Sequence, residues 1–206
     1  MTSKVGAVFE ANTPQELAER YDDLAESYDD ELATDVSPQR AVELLVRYVA
    51  SEARILDAGC GTGKVGQMLY ERGYRNLEGL DLSRGMLREA RKKNCYVALH
   101  QQVLGERLAF PTGAFDAVLS VGVFVHGHAP SSSFDDLTRV TRPGGHIIFT
   151  LRPEFYAATD FKDKMAALTD AGRWRWVETG EPFDAGFKEF PGINLQVWVY
   201  EVIRAA

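Results

Sequence analysis

The sequence is short of cysteine, of positive charge and of long apolar runs, and each shortage excludes something. Its two cysteines, Cys60 and Cys95, form no Cys-x-x-Cys pair. A disulfide framework therefore has no basis, and a reducing, cytoplasmic location is expected. No apolar run approaches the ~20 residues of a membrane-spanning helix, and the start of the chain lacks the apolar core of a secretion signal. No membrane partner is expected. Lysine and arginine number 23 against 30 aspartates and glutamates, a net charge of -7. Gripping nucleic acid takes a positive surface that displaces phosphate counterions, so no nucleic-acid partner is expected either. Internal repeats and low-complexity linkers are also missing. With 206 residues, the chain is long enough for one sizeable core and too short for two ordinary domains and a linker. The expectation is a single domain over 1–206, with 1–36 as an N-terminal helical cap.

What is present is a regular alternation of strand and helix patterns. In the acidic opening segment, Tyr21, Leu24, Ala25, Tyr28 and Leu32 fall at helical spacing. Ser37-Pro38 reads as an N-cap with proline in the first turn, followed by the stripe Val42, Leu45, Val46, Val49. Strands are predicted at 54–58, 77–81, 96–101, 115–121 and 146–151, and two aromatic strands at 174–178 and 195–203. Helices are predicted at 64–72, stopped by Gly73; from a Ser83 cap to 93; from a cap at 131–133 to about 140; and at 160–171, stopped by Gly172. Arg142-Pro143-Gly144-Gly145 reads as a turn. The alternation implies a largely parallel sheet covered on both faces. The last two strands lack a helix between them and are expected to form a hairpin with one antiparallel member.

A glycine-rich turn joins the first strand to the first helix of this pattern, in Ile55-Leu56-Asp57-Ala58-Gly59-Cys60-Gly61-Thr62-Gly63. Such a turn lets backbone approach a ligand closely. A dinucleotide loop needs G-x-G-x-x-G, and Lys64 stands where the third glycine belongs. A phosphate loop needs G-x-x-x-x-G-K-[ST], and both Ala58 and Val65 break it. D-x-G-x-G-x-G remains. A carboxylate at Asp57 suits a cationic or amino-bearing ligand. Asp81 closes the second strand at the spacing of an acidic ribose ligand, able to accept from two hydroxyls; capping of the following helix is its alternative duty. Leu82 and Met86 are placed to flank an adenine ring.

These residues carry a family resemblance. Ile55 to Gly63, Leu80-Asp81-Leu82-Ser83 with Met86-Leu87, Phe115 to Ser120, and Leu137 to Gly145 together resemble the class I S-adenosylmethionine-dependent methyltransferases along nearly the whole chain. In detail the chain is similar to the Williams–Beuren-region methyltransferase-like proteins. They share the Tyr-Asp pairs near the N-terminus, Val103-Leu104-Gly105, and the stretch from Lys164 to Trp174. The resemblance implies a Rossmann-like α/β three-layer sandwich whose seven-stranded sheet has the order 3-2-1-4-5-7-6, strand 7 antiparallel. It implies S-adenosylmethionine as cofactor, with S-adenosylhomocysteine as product. Cofactor roles fall on Asp57, Gly59, Gly61, Asp81, Leu82 and Met86, with Cys60 and Val121 beside them. Tyr28 resembles the aromatic that closes the cofactor site. Many relatives place an acidic residue after the third strand to bind the adenine amino group; here Leu104-Gly105 stands there, leaving that contact to backbone groups.

Methyl transfer is an in-line displacement at an already activated methyl, so alignment and exclusion of water supply much of the rate. A base is required only where the acceptor arrives protonated. The segment from Ser120 to His128 lies beyond the fourth strand, where open parallel sheets bind ligands. His126 and His128 are the candidate bases. Their His-x-His spacing lacks a nearby acidic or cysteine ligand, so no metal is expected. Phe124 and Arg152 are the substrate-side candidates, Arg152 for an anionic group. Phe183, Phe187, Phe190 and Trp198 are alternative walls or simply core. Arg84, Arg88, Arg91, Lys92 and Lys93 share one helix and read as a solvated face. A small-molecule acceptor is expected; a protein methyltransferase, a non-catalytic S-adenosylmethionine-binding module and a nucleoside-binding relative are the alternatives.

Overall fold

The computed structural model describes residues 4–204; residues 1–3, part of the expected cap, and 205–206 lie outside the described residues. Three short helices come first: α1 (Lys4–Val8), α2 (Pro14–Leu24) and α3 (Tyr28–Glu31). They are followed by α4 (Ser37–Tyr48), β1 (Ile55–Ala58), α5 (Lys64–Glu71), β2 (Leu77–Asp81), α6 (Arg84–Lys92), β3 (Ala98–Gln101) and β4 (Phe115–Ser120). The rest is α7 (Ser133–Val140), β5 (Thr141–Leu151), α8 (Pro153–Ala158), α9 (Phe161–Asp170), β6 (Trp174–Thr179), β7 (Phe183–Asp184) and β8 (Asn194–Val202).

The sheet has eight strands in the order β3-β2-β1-β4-β5-β8-β6, with β7 paired to β8 off this path. Strands β1 to β5 are mutually parallel, and β8 runs antiparallel to β5 and β6. This is the expected Rossmann-like order, with one correction to the strand count. The added strand β7 is a two-residue pairing, Phe183↔Leu195 and Asp184↔Asn194, too short to leave a period in sequence. A second correction concerns β5, which begins at Thr141 rather than 146. Its pairing to β4 steps from Phe115↔Thr141 to Ala117↔His146, so the expected Arg-Pro-Gly-Gly turn is an irregularity within the strand. The helices α1 and α8 are also absent from the sequence-based expectation.

Burial explains the sheet. β1 and β2 are buried at every residue, as strands covered on both faces must be. Along β5, Ile147, Phe149 and Leu151 face α7 and α9, packing with Phe134, Leu137, Phe161 and Met165. Ile148, with Ala117 and Leu119 of β4, faces α4 and α5, packing with Val42, Leu45, Val65 and Leu69. This is the two-residue period of a strand between two helical layers. Each buried Leu, Ile or Phe of these layers contributes about 1.5–3 kcal/mol. The large Trp174 indole is fully inside because its N–H finds partners, the Met165 carbonyl at 3.2 Å and Thr169 Oγ1 at 3.1 Å.

The cap docks through specific polar contacts. Val5, Val8, Leu17 and Leu24 form its small apolar cluster. Asp22 of α2 sits at the N-terminus of α6, where its Oδ1 accepts from Ser83 Oγ and from Gly85 N–H, both at 2.6 Å. A carboxylate there satisfies orphan N–H groups and meets the positive end of the helix dipole. The approach requires glycine at position 85: a Cβ there would lie 2.7 Å from the Asp22 Cα. Asp29 accepts from Thr62 Oγ at 2.5 Å and pairs with Lys93 at 2.6 Å. The Lys64 ammonium donates to the carbonyls of Leu32 (3.2 Å) and Asp35 (3.4 Å). The lysine that half-matched a phosphate loop therefore ties the glycine turn to the cap.

Candidate cofactor and acceptor site

Strand order reverses around β1, with β2 on one side and β4 on the other, and open α/β sheets bind ligands at such switch points beyond the carboxyl ends of the strands. A cavity of about 480 Å3 lies there, within the range of small-molecule sites. The loop after β1 supplies Gly59 and Gly61; β2 and its end supply Leu80, Asp81 and Leu82; α6 supplies Met86. The chain after β3 supplies residues 102–106, and the chain after β4 supplies 121–123 and 127–130. The cap closes the remaining side with residues 11–14, Leu17, Tyr21 and Tyr28.

Asp81 is the best-anchored acid in this wall. Its Oδ2 accepts from Gly61 N–H and its Oδ1 from Ser83 N–H, each at 2.9 Å. Burial raises its carboxyl to about 6, opposed by those N–H groups. A carboxylate oxygen has more than one acceptor site, so both oxygens keep capacity toward the cavity. Gly61 holds φ at +53°, and a Cβ at that position would meet nothing within 4 Å. Its backbone is therefore bare toward a ligand. Ser83 performs the expected cap, accepting from Met86 N–H at 3.0 Å.

Asp57 and Cys60 are placed differently from the sequence-based expectation. The alternation along β1 turns Asp57 to the side of Ile55, beneath the glycine turn and away from the cavity lining. There Tyr96 Oη–H donates to its Oδ2 at 2.6 Å. Burial lifts the Asp57 carboxyl to about 7; the Tyr96 bond lowers it and the charge of Asp81 raises it. Cys60 sends its thiol into a cluster with Leu87 and Ala90, where burial pushes it up, and it contributes its backbone N–H to the Leu80 carbonyl.

The cavity does gather Tyr28, Gly59, Gly61, Asp81, Leu82, Met86, Leu104, Gly105 and Val121. Glu106, one residue past the Leu104-Gly105 stretch, also lines it, so an acidic side chain does follow the third strand. Gln102 lines it too, with its Oε1 accepting from Ala109 N–H at 2.6 Å.

The catalytic candidates separate. His126 is exposed and points outside the lining. His128 lines the cavity, and its Nε2 lies 2.7 Å from Tyr21 Oη. Its Nδ1 lies 3.0 Å from the His126 carbonyl, which can only accept. Nδ1 is therefore the protonated nitrogen, and Nε2 accepts from the tyrosine. Burial holds the imidazole below its usual basicity, and keeps the Tyr21 hydroxyl well above its ordinary range. Tyr21 and Tyr28 rings meet edge to face at 6.1 Å. Tyr21 escapes sequence reading because it sits in a helical stripe that looks like ordinary packing, and Asp22 because it reads as one more acid of an acidic segment; the Tyr-Asp pairing is the one available signal.

Phe124 is corrected from a substrate residue to a core residue. It is fully buried against Phe134 (4.7 Å), Phe161 (5.5 Å) and Phe149 (5.7 Å). Arg152 stands at the N-cap position of α8 without a side-chain capping bond and stays off the cavity wall, its Nε buried without a hydrogen-bond partner among the described residues. Trp198 packs on Phe149 and Tyr156, and Phe190 stands against Phe9. Arg84, Arg88, Arg91 and Lys92 are exposed, and Lys93 pairs with Asp29. Among the described residues no group of three His, Cys, Asp or Glu could hold a metal ion, and no helix is long and apolar enough to cross a membrane.

A methyltransferase-domain family matches residues 56–149, the stretch from β1 to β5 that builds most of this cavity. Human (Homo sapiens) methyltransferase-like protein 27 is 37% identical over 164 residues, covering 75% of this chain and 66% of that protein. The chain belongs to the class I S-adenosylmethionine-dependent methyltransferases. The domain is that of a methyl-transferring enzyme family, and S-adenosylmethionine is its cofactor. The chain spans less than two thirds of the length of the leading curated relatives it matches. Solved structures of this fold include 1,6-didemethyltoxoflavin-N1-methyltransferase from Burkholderia thailandensis with bound S-adenosylhomocysteine. That match has TM-score 0.63 and 17% identity, over 94% of this chain and 92% of that one. The [4+2]-cyclase SpnF matches with TM-score 0.75 and 15% identity, over 94% of this chain and 97% of that one. A methyltransferase and a cyclase on one architecture mean that the reaction has to be argued from the site.

Proposed function

We propose that this chain binds S-adenosylmethionine in the cavity at the switch point and methylates a small-molecule acceptor by in-line displacement. The observation that carries the reading is Asp81, held by two backbone N–H groups beside the bare backbone of Gly61. That pairing fits a ribose diol, and the apolar Leu82, Met86 and Leu104 fit the faces and edge of an adenine. The bound cofactor supplies a methyl group on a sulfonium, already activated for transfer. The chain's own part is to orient and to exclude water: the cap covers the cavity, and Tyr28 stands over it. Acceptor size follows from that cover, and the net charge of -7 disfavours a polynucleotide acceptor. The reading includes one functional unit over 1–206 and a cytoplasmic location, the latter supported by the buried free thiols of Cys60 and Cys95.

Calorimetry with S-adenosylhomocysteine tests the binding. The parent should bind, and Asp81→Ala should bind roughly tenfold to a hundredfold more weakly, as for loss of a charged hydrogen bond of about 1.5–3 kcal/mol. Equal affinity in the two proteins would remove the ribose assignment. Transfer of labelled methyl from the cofactor to a metabolite extract tests the reaction; binding without transfer would favour a sensing module.

A further inference from the structure

The Tyr21–His128 pair has the geometry of a proton relay rather than of a packing contact. Nδ1–H of His128 is committed to the His126 carbonyl, so Nε2 is a lone pair, and the Tyr21 hydroxyl donates into it. The phenolic oxygen then keeps its own acceptor capacity, and both side chains line the cavity. Phe9 packs on the imidazole with ring centroids 5.4 Å apart, and the Tyr21 ring at 5.6 Å, which fixes the ring orientation. The groups facing the pair are Tyr28 from the cap, Asp81 from β2 and His126 from the same loop. Among the described residues, no lysine or arginine lines the cavity, and its carboxylates are Asp81 and Glu106.

We propose that Tyr21 is the catalytic residue that receives the acceptor's proton, with His128 as the final base, and that the acceptor is an uncharged molecule bearing an O–H or N–H group. This rests on the methyl-transfer reading. The acceptor's X–H bond breaks as its proton passes to Tyr21 Oη. The phenolic proton passes to His128 Nε2. The electron pair left on the acceptor atom forms the bond to the methyl carbon, whose former bonding pair stays on sulfur. The resulting imidazolium is stabilised by the His126 carbonyl on Nδ1–H. An anionic acceptor would enter a wall that offers carboxylates and no cation; an uncharged one suits Leu17, Val123 and Ala129.

Two substitutions separate a relay from a structural latch. Tyr21→Phe keeps the ring and removes the proton carrier. His128→Gln keeps an acceptor for the Tyr21 hydroxyl and removes the base. Labelled methyl transfer would be measured with methyl 4-hydroxybenzoate, methyl 4-aminobenzoate and 4-hydroxybenzoate as acceptors. The parent should label an uncharged compound and leave the carboxylate unlabelled. Both variants should lose about a hundredfold or more in kcat, with KM and S-adenosylhomocysteine affinity within about threefold of the parent. Full kcat in His128→Gln, preferential labelling of 4-hydroxybenzoate, or no label on either uncharged compound from a chain that binds S-adenosylhomocysteine would overturn the proposal. Cofactor-free, 15N-histidine-labelled protein gives an independent readout: His128 should carry its proton on Nδ1, and Tyr21→Phe should shift Nε2 alone. A protonated Nε2 would overturn the relay. Absent S-adenosylhomocysteine binding would instead overturn the methyl-transfer reading, with the nitrogen shifts still judging the pair.

Discussion

At the scale of single residues, the two strand-end acids of the fold do different work. Asp81 faces the cavity and Asp57 faces Tyr96. Burial raises the carboxyl of Asp57 to about 7, far above the usual value near 4 for an unfolded chain. Between those two values the folded chain holds a proton that the unfolded chain has lost. The contribution of Asp57 to stability therefore falls as pH rises from about 4 to about 7, and levels off above. Asp57→Asn removes that titration, keeps the shape and still offers an oxygen to the Tyr96 hydroxyl. Urea unfolding across this range should show a shallower decline in the variant than in the parent. An unchanged slope would mean that Asp57 ionises normally in the folded chain. Sequence spacing finds both acids because each lies at the carboxyl-end portion of a buried strand, Asp81 as its last residue and Asp57 one before it. It does not distinguish their directions, because Asp57 is captured by Tyr96, a residue 39 positions later whose role only the folded loop reveals.

At the scale of elements, the cap is held to the body by one close helix crossing. Gly85 is where α2 touches α6, and Asp22 caps α6 from across that contact. Gly85→Ala places a methyl 2.7 Å from backbone, which the neighbour cannot relieve by a rotamer change. The expected cost is about 1–3 kcal/mol. It should appear as faster hydrogen exchange over Pro14–Leu24 and weaker S-adenosylhomocysteine binding, while exchange in β4 and β5 stays slow. Uniform loss of protection would show that cap and sheet unfold together. The central elements are legible in sequence because their signals are local: Ser83 caps its helix, and β1 and β4 are mostly apolar runs between turns. The elements that escape are those set by tertiary pairing. β7 exists only where two residues reach β8, and β5 is extended past a Pro-Gly-Gly stretch by its neighbour β4. The docking of the cap escapes for the same reason, since Asp22, Asp29 and Lys64 find their partners at long range.

For the whole molecule, the cavity is a joint between parts that otherwise meet through a few polar contacts. Its walls come from the cap and from the chain beyond β1, β2, β3 and β4. A ligand seated there touches all of them and binds the folded chain alone, so it should raise the stability of cap and sheet as one. At about a hundred times its dissociation constant, a ligand adds about 2.7 kcal/mol. For a chain of 206 residues that corresponds to a rise of roughly 5–11 °C in Tm. S-adenosylhomocysteine at that concentration should produce this shift in thermal unfolding followed by circular dichroism. The same concentration with Asp81→Ala, whose affinity is expected to be tenfold to a hundredfold weaker, should leave roughly half of it or less. The comparison discriminates because the ligand concentration, the fold and the buffer are held fixed while one carboxylate is removed. A full shift in the variant would place the ligand away from β2; no shift in the parent would mean that the switch-point cavity of this chain does not take the aminoacyl nucleoside its family uses.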